Sequence, residues 1–325
     1  MTTPISIPAL SLAGTWTALI TPFRHDEIDV VALRLLVETN IAGGVSGLVA
    51  CGTTAETPTL TTAEADRVIE IVVEQAAGRV PVMVGTGTND TRTTLERTRH
   101  AQRLGATAAL IVMPYYNRPT QEGLYQHIAH IAANCDLPIV LYNVPGRTGS
   151  DIQATTVARL AQLPTVIGIK EATGSVDRAS EIIRLCGPDF AVLSGDDSLT
   201  LPIMSVGGCG VVSVASNIIP AALSALTTAA RAGDFLRART IHHEILDLCG
   251  AMFVETNPVP VKTAAAELGL TTAEVRLPLV PLQAASRDRL LAALQACPWT
   301  ATRLGGGAAV DYDLVRSLAA IEVAA

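Results

Sequence analysis

Short apolar runs alternate with longer amphipathic segments along most of the chain, and the alternation recurs eight times. Thr15–Ile20, Gly47–Cys51, Val80–Val84, Ala108–Met113, Pro138–Tyr142, Val166–Lys170, Phe190–Ser194 and Gly210–Val214 read as strands. Their apolarity is continuous rather than alternating, as parallel strands covered on both faces require. Between and after them, helices are predicted over Asp29–Ala42, Thr61–Ala77, Asp90–Leu104, Gln121–Asn134, Ile152–Gln162, Val176–Cys186, Ser198–Val206 and Pro220–Arg231. Thr61, with Glu64 three residues on, carries the spacing of a capping box. Repeated strand–helix units with short loops predict an α/β protein. The expected architecture is a closed (β/α)8 TIM barrel over residues 11–231 rather than an open doubly wound sheet. After Arg231 the strand pattern stops. Asp234–Met252, Pro260–Leu268 and Ala284–Ala296 predict a three-helix appendage over 232–300. Residues 301–325 read as a tail, with a hinge at Gly305–Gly307 and a short helix over Tyr312–Glu322.

Composition narrows the picture. Hydrophobic residues make up 49% of the chain but aromatics only 3%, so the core is built mainly of Ala, Val, Ile and Leu. A net charge of −7 without any basic run argues against nucleic acid or an anionic membrane as partner. Ser198–Ala230 contains no charged residue and is long enough to span a bilayer. Pro202, Gly207, Gly208, Gly210 and Pro220 break it into helix-like, strand-like and helix-like parts, which suits a buried region of a soluble barrel. The six cysteines are spread along the chain with no C-x-x-C pair, which points to free buried thiols in a reduced, cytoplasmic protein. His127 and His130 share a predicted helix face and read as a surface pair, since a metal site needs further ligands. No phosphate- or dinucleotide-binding glycine motif follows the first strand, and no cofactor or metal is expected.

The residues that follow each strand carry the chemistry. In a (β/α)8 barrel they line one end, where active sites sit. They include Gly52-Thr53-Thr54-Ala55-Glu56, Pro114-Tyr115-Tyr116-Asn117-Arg118, Tyr142-Asn143-Val144-Pro145-Gly146-Arg147-Thr148-Gly149 and Gly195-Asp196-Asp197. Lys170 ends the sixth strand. Only Lys170 and Lys262 are lysines among 23 basic residues. By position alone a strand-end lysine is most simply a solvated side chain. Beside tyrosines, threonines and an arginine at one barrel mouth, it reads as a Schiff-base nucleophile for a keto acid, a task arginine cannot perform. A tyrosine there can shuttle the protons, Thr53 and Thr54 can hold a carboxylate, and Arg147 can clamp a second one.

These motifs, with Gly168-Ile169-Lys170-Glu171-Ala172, Leu193-Ser194-Gly195-Asp196-Asp197 and Val254-Glu255-x-Asn257-Pro258-x-Pro260-Val261-Lys262, resemble the dihydrodipicolinate synthase family. That family belongs to the class I aldolases related to N-acetylneuraminate lyase. The resemblance covers about Gly14 to Ala296. It implies condensation of pyruvate with L-aspartate 4-semialdehyde to 4-hydroxy-tetrahydrodipicolinate, on the way to diaminopimelate and lysine. It implies Lys170 as nucleophile, Tyr142 as acid/base, and Thr53 as a proton relay between Tyr142 and a Tyr116 supplied by a neighbouring subunit. It implies Thr54 on the pyruvate carboxylate, Arg147 on the semialdehyde carboxylate, and Gly195 and Val212 shaping the pyruvate pocket. The implied assembly is a homotetramer, a dimer of dimers.

Two departures from the pattern stand out. Ala55 replaces the usual glycine, and its methyl group is expected to bear on the loop that presents Thr53 and Thr54. Members inhibited by lysine bind it at a dimer interface. Asn89 and Tyr115 match two of the positions used there, but Thr93 stands for the glutamate and Thr62 and Ala65 for the histidines. Weak or absent lysine inhibition follows as an expectation. The rival readings are a sibling aldolase acting on a sugar-derived 2-keto acid or hydroxy-oxoglutarate, and a barrel that only binds a keto acid. Arg147 disfavours the first. The retention of Lys170, Tyr142 and Thr53 disfavours the second.

Overall fold

The computed structural model describes residues 10–300. Eight parallel strands close into a barrel: β1 (Gly14–Ala18), β2 (Gly47–Ala50), β3 (Val82–Gly85), β4 (Ala108–Val112), β5 (Ile139–Asn143), β6 (Val166–Glu171), β7 (Ala191–Ser194) and β8 (Gly210–Ser213). Each pairs with its neighbours in sequence, and β8 closes on β1. The seam is tight. A Cβ on Gly210 would lie 1.9 Å from the Gly14 carbonyl oxygen, so only glycine lets the two strands meet there.

The outer ring consists of α1 (Val30–Ala42), α2 (Thr62–Ala76), α3 (Thr91–Arg103), α4 (Gln121–Ala132), the single turn α5 (Pro145–Thr148), α6 (Ala154–Leu160), α7 (Val176–Cys186), α8 (Thr200–Ser205) and α9 (Pro220–Arg231). Inside the barrel Trp16, Met83, Leu110, Tyr142 and Val212 belong to one buried cluster. A second cluster fills the space between sheet and helices. Three further helices follow, α10 (Phe235–Ala251), α11 (Val259–Glu267) and α12 (Ala284–Ala296). They share a third cluster with Leu35 and Leu36 of α1 and Leu223 and Leu226 of α9. The appendage is thereby fastened to the barrel wall by apolar burial.

The predicted capping box is present: Thr61 Oγ1 accepts from the Glu64 amide, and the Glu64 carboxylate accepts from the Thr61 amide. The uncharged stretch divides as read, into α8, β8 and α9, and among the described residues no helix is long and apolar enough to cross a membrane. The six cysteines are free thiols. Two elements were not anticipated, the Phe23–Arg24/Glu27–Ile28 hairpin and α5. The expected hinge at Gly305–Gly307 and the helix over Tyr312–Glu322 lie outside the described residues.

The histidine pair is a correction. His127 is buried, not on the surface, and its Nδ1 lies 2.8 Å from Thr91 Oγ1. Packing of α4 against α3 places it there. Burial penalises the charged ring and pushes its pKa down to about 4, from an ordinary 6.5. Between those two values the unfolded chain binds a proton that the folded one rejects. The stability contributed is therefore complete above pH 6.5 and is lost as pH falls toward 4, at most about 3 kcal/mol in all. Thermal unfolding should show the midpoint of the parent protein falling more steeply over this interval than that of His127→Gln. Parallel slopes would show that the histidine is not the titrating group.

Candidate active site

Parallel register brings the two central residues side by side. Tyr142 on β5 pairs with Lys170 on β6, and the Lys170 Nζ lies 4.3 Å from the centroid of the tyrosine ring. Both residues are buried, Lys170 at 5% exposure. Among the described residues nothing accepts a hydrogen bond from Nζ or forms an ion pair with it. A buried amine with no carboxylate bonded to it is placed to attack a carbonyl. The nearby acid Asp196 feels the Lys170 charge, which lowers its pKa, but burial outweighs this and holds it above the ordinary carboxylate value.

The turn after β2 supplies the hydroxyls. Thr53–Ala55 form a single 3-10 turn that ends on Glu56 in the left-handed conformation, at φ 55°. Ala55 itself has no positive φ, so its methyl group sits buried in the turn without backbone strain. The expectation that Ala55 alters the loop finds no support in this geometry. The Thr53 hydroxyl is half-buried and makes no hydrogen bond among the described residues. Thr54 is buried, and its Oγ1 accepts from Asn257 Nδ2 at 3.0 Å.

Glu56 anchors the turn from behind. Its Oε1 lies 2.5 Å from Lys262 Nζ on α11, and its Oε2 accepts from the Arg276 amide at 3.0 Å. Lys262 is fully buried and stacked 4.1 Å from the centre of the Phe23 ring. Burial pulls its pKa below the ordinary lysine value, against the opposing pull of Glu56. Both lysines of the chain are thus buried, one with a carboxylate partner and one without.

Arg147, Val212 and Gly195 fall around the same mouth. Arg147 lies on α5, is exposed, and its Nη2 donates to the Asn257 carbonyl oxygen at 3.4 Å. Val212 shares the interior cluster with Tyr142. Gly195 follows β7, where a Cβ would come within 2.4 Å of the Ala172 side chain, so glycine is required for the β6 and β7 loops to pack. The neighbouring Asp197 is buried and accepts from Ser213 Oγ and from the Val214 and Ala215 amides, which ties the end of β7 to the end of β8. Its burial raises the carboxyl pKa above the ordinary value.

Tyr116 does not join this group. It is 89% exposed, with φ 72°, and no hydrogen bond links it to Thr53 or Tyr142. Tyr115 beside it is 40% exposed. Thr62, Ala65 and Thr93 line one cleft of about 460 Å³ between α2 and α3, together with the Asp66–His100 pair. Asn89 and Tyr115 are not among its walls. The Thr93 hydroxyl is engaged by the Asp90 carboxylate as part of the α3 cap.

Asn257, Glu56, Lys262 and Asp197 all stand in the matching motifs, but the motifs assign none of them a role. The one signal available was the rarity of lysine, which marked Lys262 as well as Lys170.

Comparison with known proteins agrees with this geometry. The Dihydrodipicolinate synthetase family profile matches residues 11–297. The chain is 58% identical to the 4-hydroxy-tetrahydrodipicolinate synthase of Thermomicrobium roseum over 293 residues, 90% of this chain and 97% of that one. The structure of the 4-hydroxy-tetrahydrodipicolinate synthase of Methylacidiphilum fumariolicum superposes with a TM-score of 0.88 at 45% identity, covering 90% of this chain and 97% of the other. The dihydrodipicolinate synthase of Aquifex aeolicus gives 0.86 at 46% identity, covering 87% and 97%. A barrel with a free buried lysine against a tyrosine, matched over nearly its whole described length, leaves no doubt about kinship: the chain belongs to the dihydrodipicolinate synthetase family.

Proposed function

We propose that this protein condenses pyruvate with L-aspartate 4-semialdehyde to give 4-hydroxy-tetrahydrodipicolinate. This is a lyase reaction of the route to diaminopimelate and lysine, proceeding through a Schiff base on Lys170. The observation that carries the reading is the unpartnered, buried Nζ of Lys170 beside Tyr142. Lys170 attacks the C2 carbonyl of pyruvate, and loss of water leaves an imine. Removal of a C3 proton gives the enamine, whose carbon attacks the aldehyde. The amino group of the condensed chain then closes on the imine carbon and expels the Lys170 amine, restoring the enzyme. Tyr142 handles the protons of dehydration and closure, with the free Thr53 hydroxyl as relay. Thr54 holds the pyruvate carboxylate, and Arg147 at the exposed rim clamps the carboxylate of the second substrate in two-pronged fashion. Gly195 and Val212 bound the pyruvate pocket.

Tyr116 completes the relay in a second copy. A tyrosine that is 89% exposed in a left-handed conformation is costly to hold and has no use within its own barrel. Its exposure beside Tyr115 fits insertion into a partner's site, and a dimer of such pairs makes a tetramer. The protein works in the cytoplasm. The test is pyruvate-dependent consumption of aspartate semialdehyde, coupled to an added reductase. Turnover on the order of 10⁴ M⁻¹s⁻¹ or more is expected. If pyruvate forms the imine but the semialdehyde is not consumed, a sibling aldolase takes its place.

Feedback by lysine should be weak or absent. Thr93 offers no carboxylate for the ligand's amine, and its hydroxyl is already bound to Asp90. Losing such a charge pair costs on the order of 2–5 kcal/mol. Half-maximal inhibition by sub-millimolar lysine would refute this.

A further inference from the structure

We propose that Asn257 is a positioning residue that sets the direction in which Thr54 presents its hydroxyl proton. The proposal rests on the assignment of Thr54 to the pyruvate carboxylate. A carboxylate only accepts hydrogen bonds, so Thr54 serves it only as a donor. A hydroxyl has a single proton, and the proton turns toward whichever acceptor is best placed. Asn257 settles that competition. Its Nδ2 donates to Thr54 Oγ1 at 3.0 Å, which occupies a lone pair and leaves the proton for the ligand. The reverse arrangement, with the amide oxygen facing Thr54, would take the proton away from the site.

Two further observations support the assignment. Asn257 is 6% exposed, and its Oδ1 is buried without any hydrogen-bond partner among the described residues. An acceptor left unmet in the interior is uncommon and calls for an explanation. Here the unmet oxygen is what remains when the amide turns its donor side to Thr54. The main chain of the same residue also meets the other carboxylate-binding group, since its backbone carbonyl oxygen accepts from Arg147 Nη2 at 3.4 Å. Asn257 thus touches both substrate-holding side chains from the start of α11, outside the barrel. With pyruvate bound, amide, hydroxyl and carboxylate form one aligned chain in which each hydrogen bond polarises the next.

The test compares Asn257→Asp with Asn257→Ala. Aspartate keeps the shape but only accepts, and it captures the Thr54 proton. Alanine leaves the hydroxyl free to turn. The pyruvate KM is expected to rise about 100-fold in the aspartate variant and no more than about 10-fold in the alanine variant. The amount of imine trapped by borohydride at fixed pyruvate should follow the same order. A residue that merely fills space would give the opposite order, and that result, or equal effects, overturns the proposal.

The double variants with Thr54→Val separate the hydroxyl from plain charge repulsion. Once the hydroxyl is gone, the excess penalty of aspartate over alanine should vanish. If it persists, the aspartate acts on the ligand directly and the proposal fails. Asn257→Ala with Thr54→Val gives the same coupling test without the aspartate variant, and additive effects on pyruvate KM count against the proposal. If Thr54→Val alone leaves pyruvate KM unchanged, the assignment of Thr54 itself is wrong, and the proposal goes with it. Loss of imine formation in the unmodified protein would instead mark failure of the Schiff-base reading.

Discussion

Replacing Lys170 with methionine should reduce turnover by at least about 10³-fold and abolish borohydride-trapped pyruvate altogether. Methionine fits a site that is 5% exposed and beside an aromatic ring, so the fold should survive. Lys170→Arg should be equally dead, because a guanidinium stays protonated and cannot attack. The comparison separates charge from nucleophilicity. If arginine retained a tenth of the activity, the Schiff base would be excluded and the site would have to work by electrostatics alone. Retention of the trapped adduct in the methionine variant would place the nucleophile elsewhere, with Lys262 the one other lysine in the chain.

Lys262→Met should be the most damaging substitution to stability, at about 3–5 kcal/mol. The loss arises because it leaves the Glu56 carboxylate, 3% exposed, with only the Arg276 amide and no cation in contact. The midpoint of thermal unfolding should drop by roughly 10 °C. Glu56→Gln in the same chain removes the stranded charge, so the double variant should recover a good part of the loss. A single-variant cost below about 1 kcal/mol would mean that water reaches Glu56 and the pair is only incidental. Activity should fall as well, since the same contact holds the turn carrying Thr53 and Thr54.

The barrel was legible because its periodicity is local: most strands are continuous apolar runs, and several helices carry their own side-chain cap. Lys170 and Tyr142 were legible because strand ends in such a barrel share one mouth, and the register of β5 on β6 puts them side by side. What could not be read depends on contacts between distant parts of the chain. Asn257 reaches Thr54 across 203 residues, and Lys262 reaches Glu56 across 206. No local pattern encodes such a pairing. His127 is a different case: it shares the apolar stripe of α4 with Leu124, Ile128 and Ile131, and that local period already turns it inward. The α5 turn was missed because Pro145-Gly146 reads as a loop, although proline suits the first turn of a helix.

The burial of both lysines also decides how the protein meets reagents and modifying enzymes. Its exposed positive charge is carried by arginine, and among side chains neither amine stands on the described surface. Acylating agents, amine-directed crosslinkers and lysine acetylation find no ready side-chain target on the folded chain. Of the two side-chain amines, the one more open to small carbonyl compounds is therefore the one at the barrel mouth, so a buried nucleophile gains selectivity from the scarcity of competing lysines.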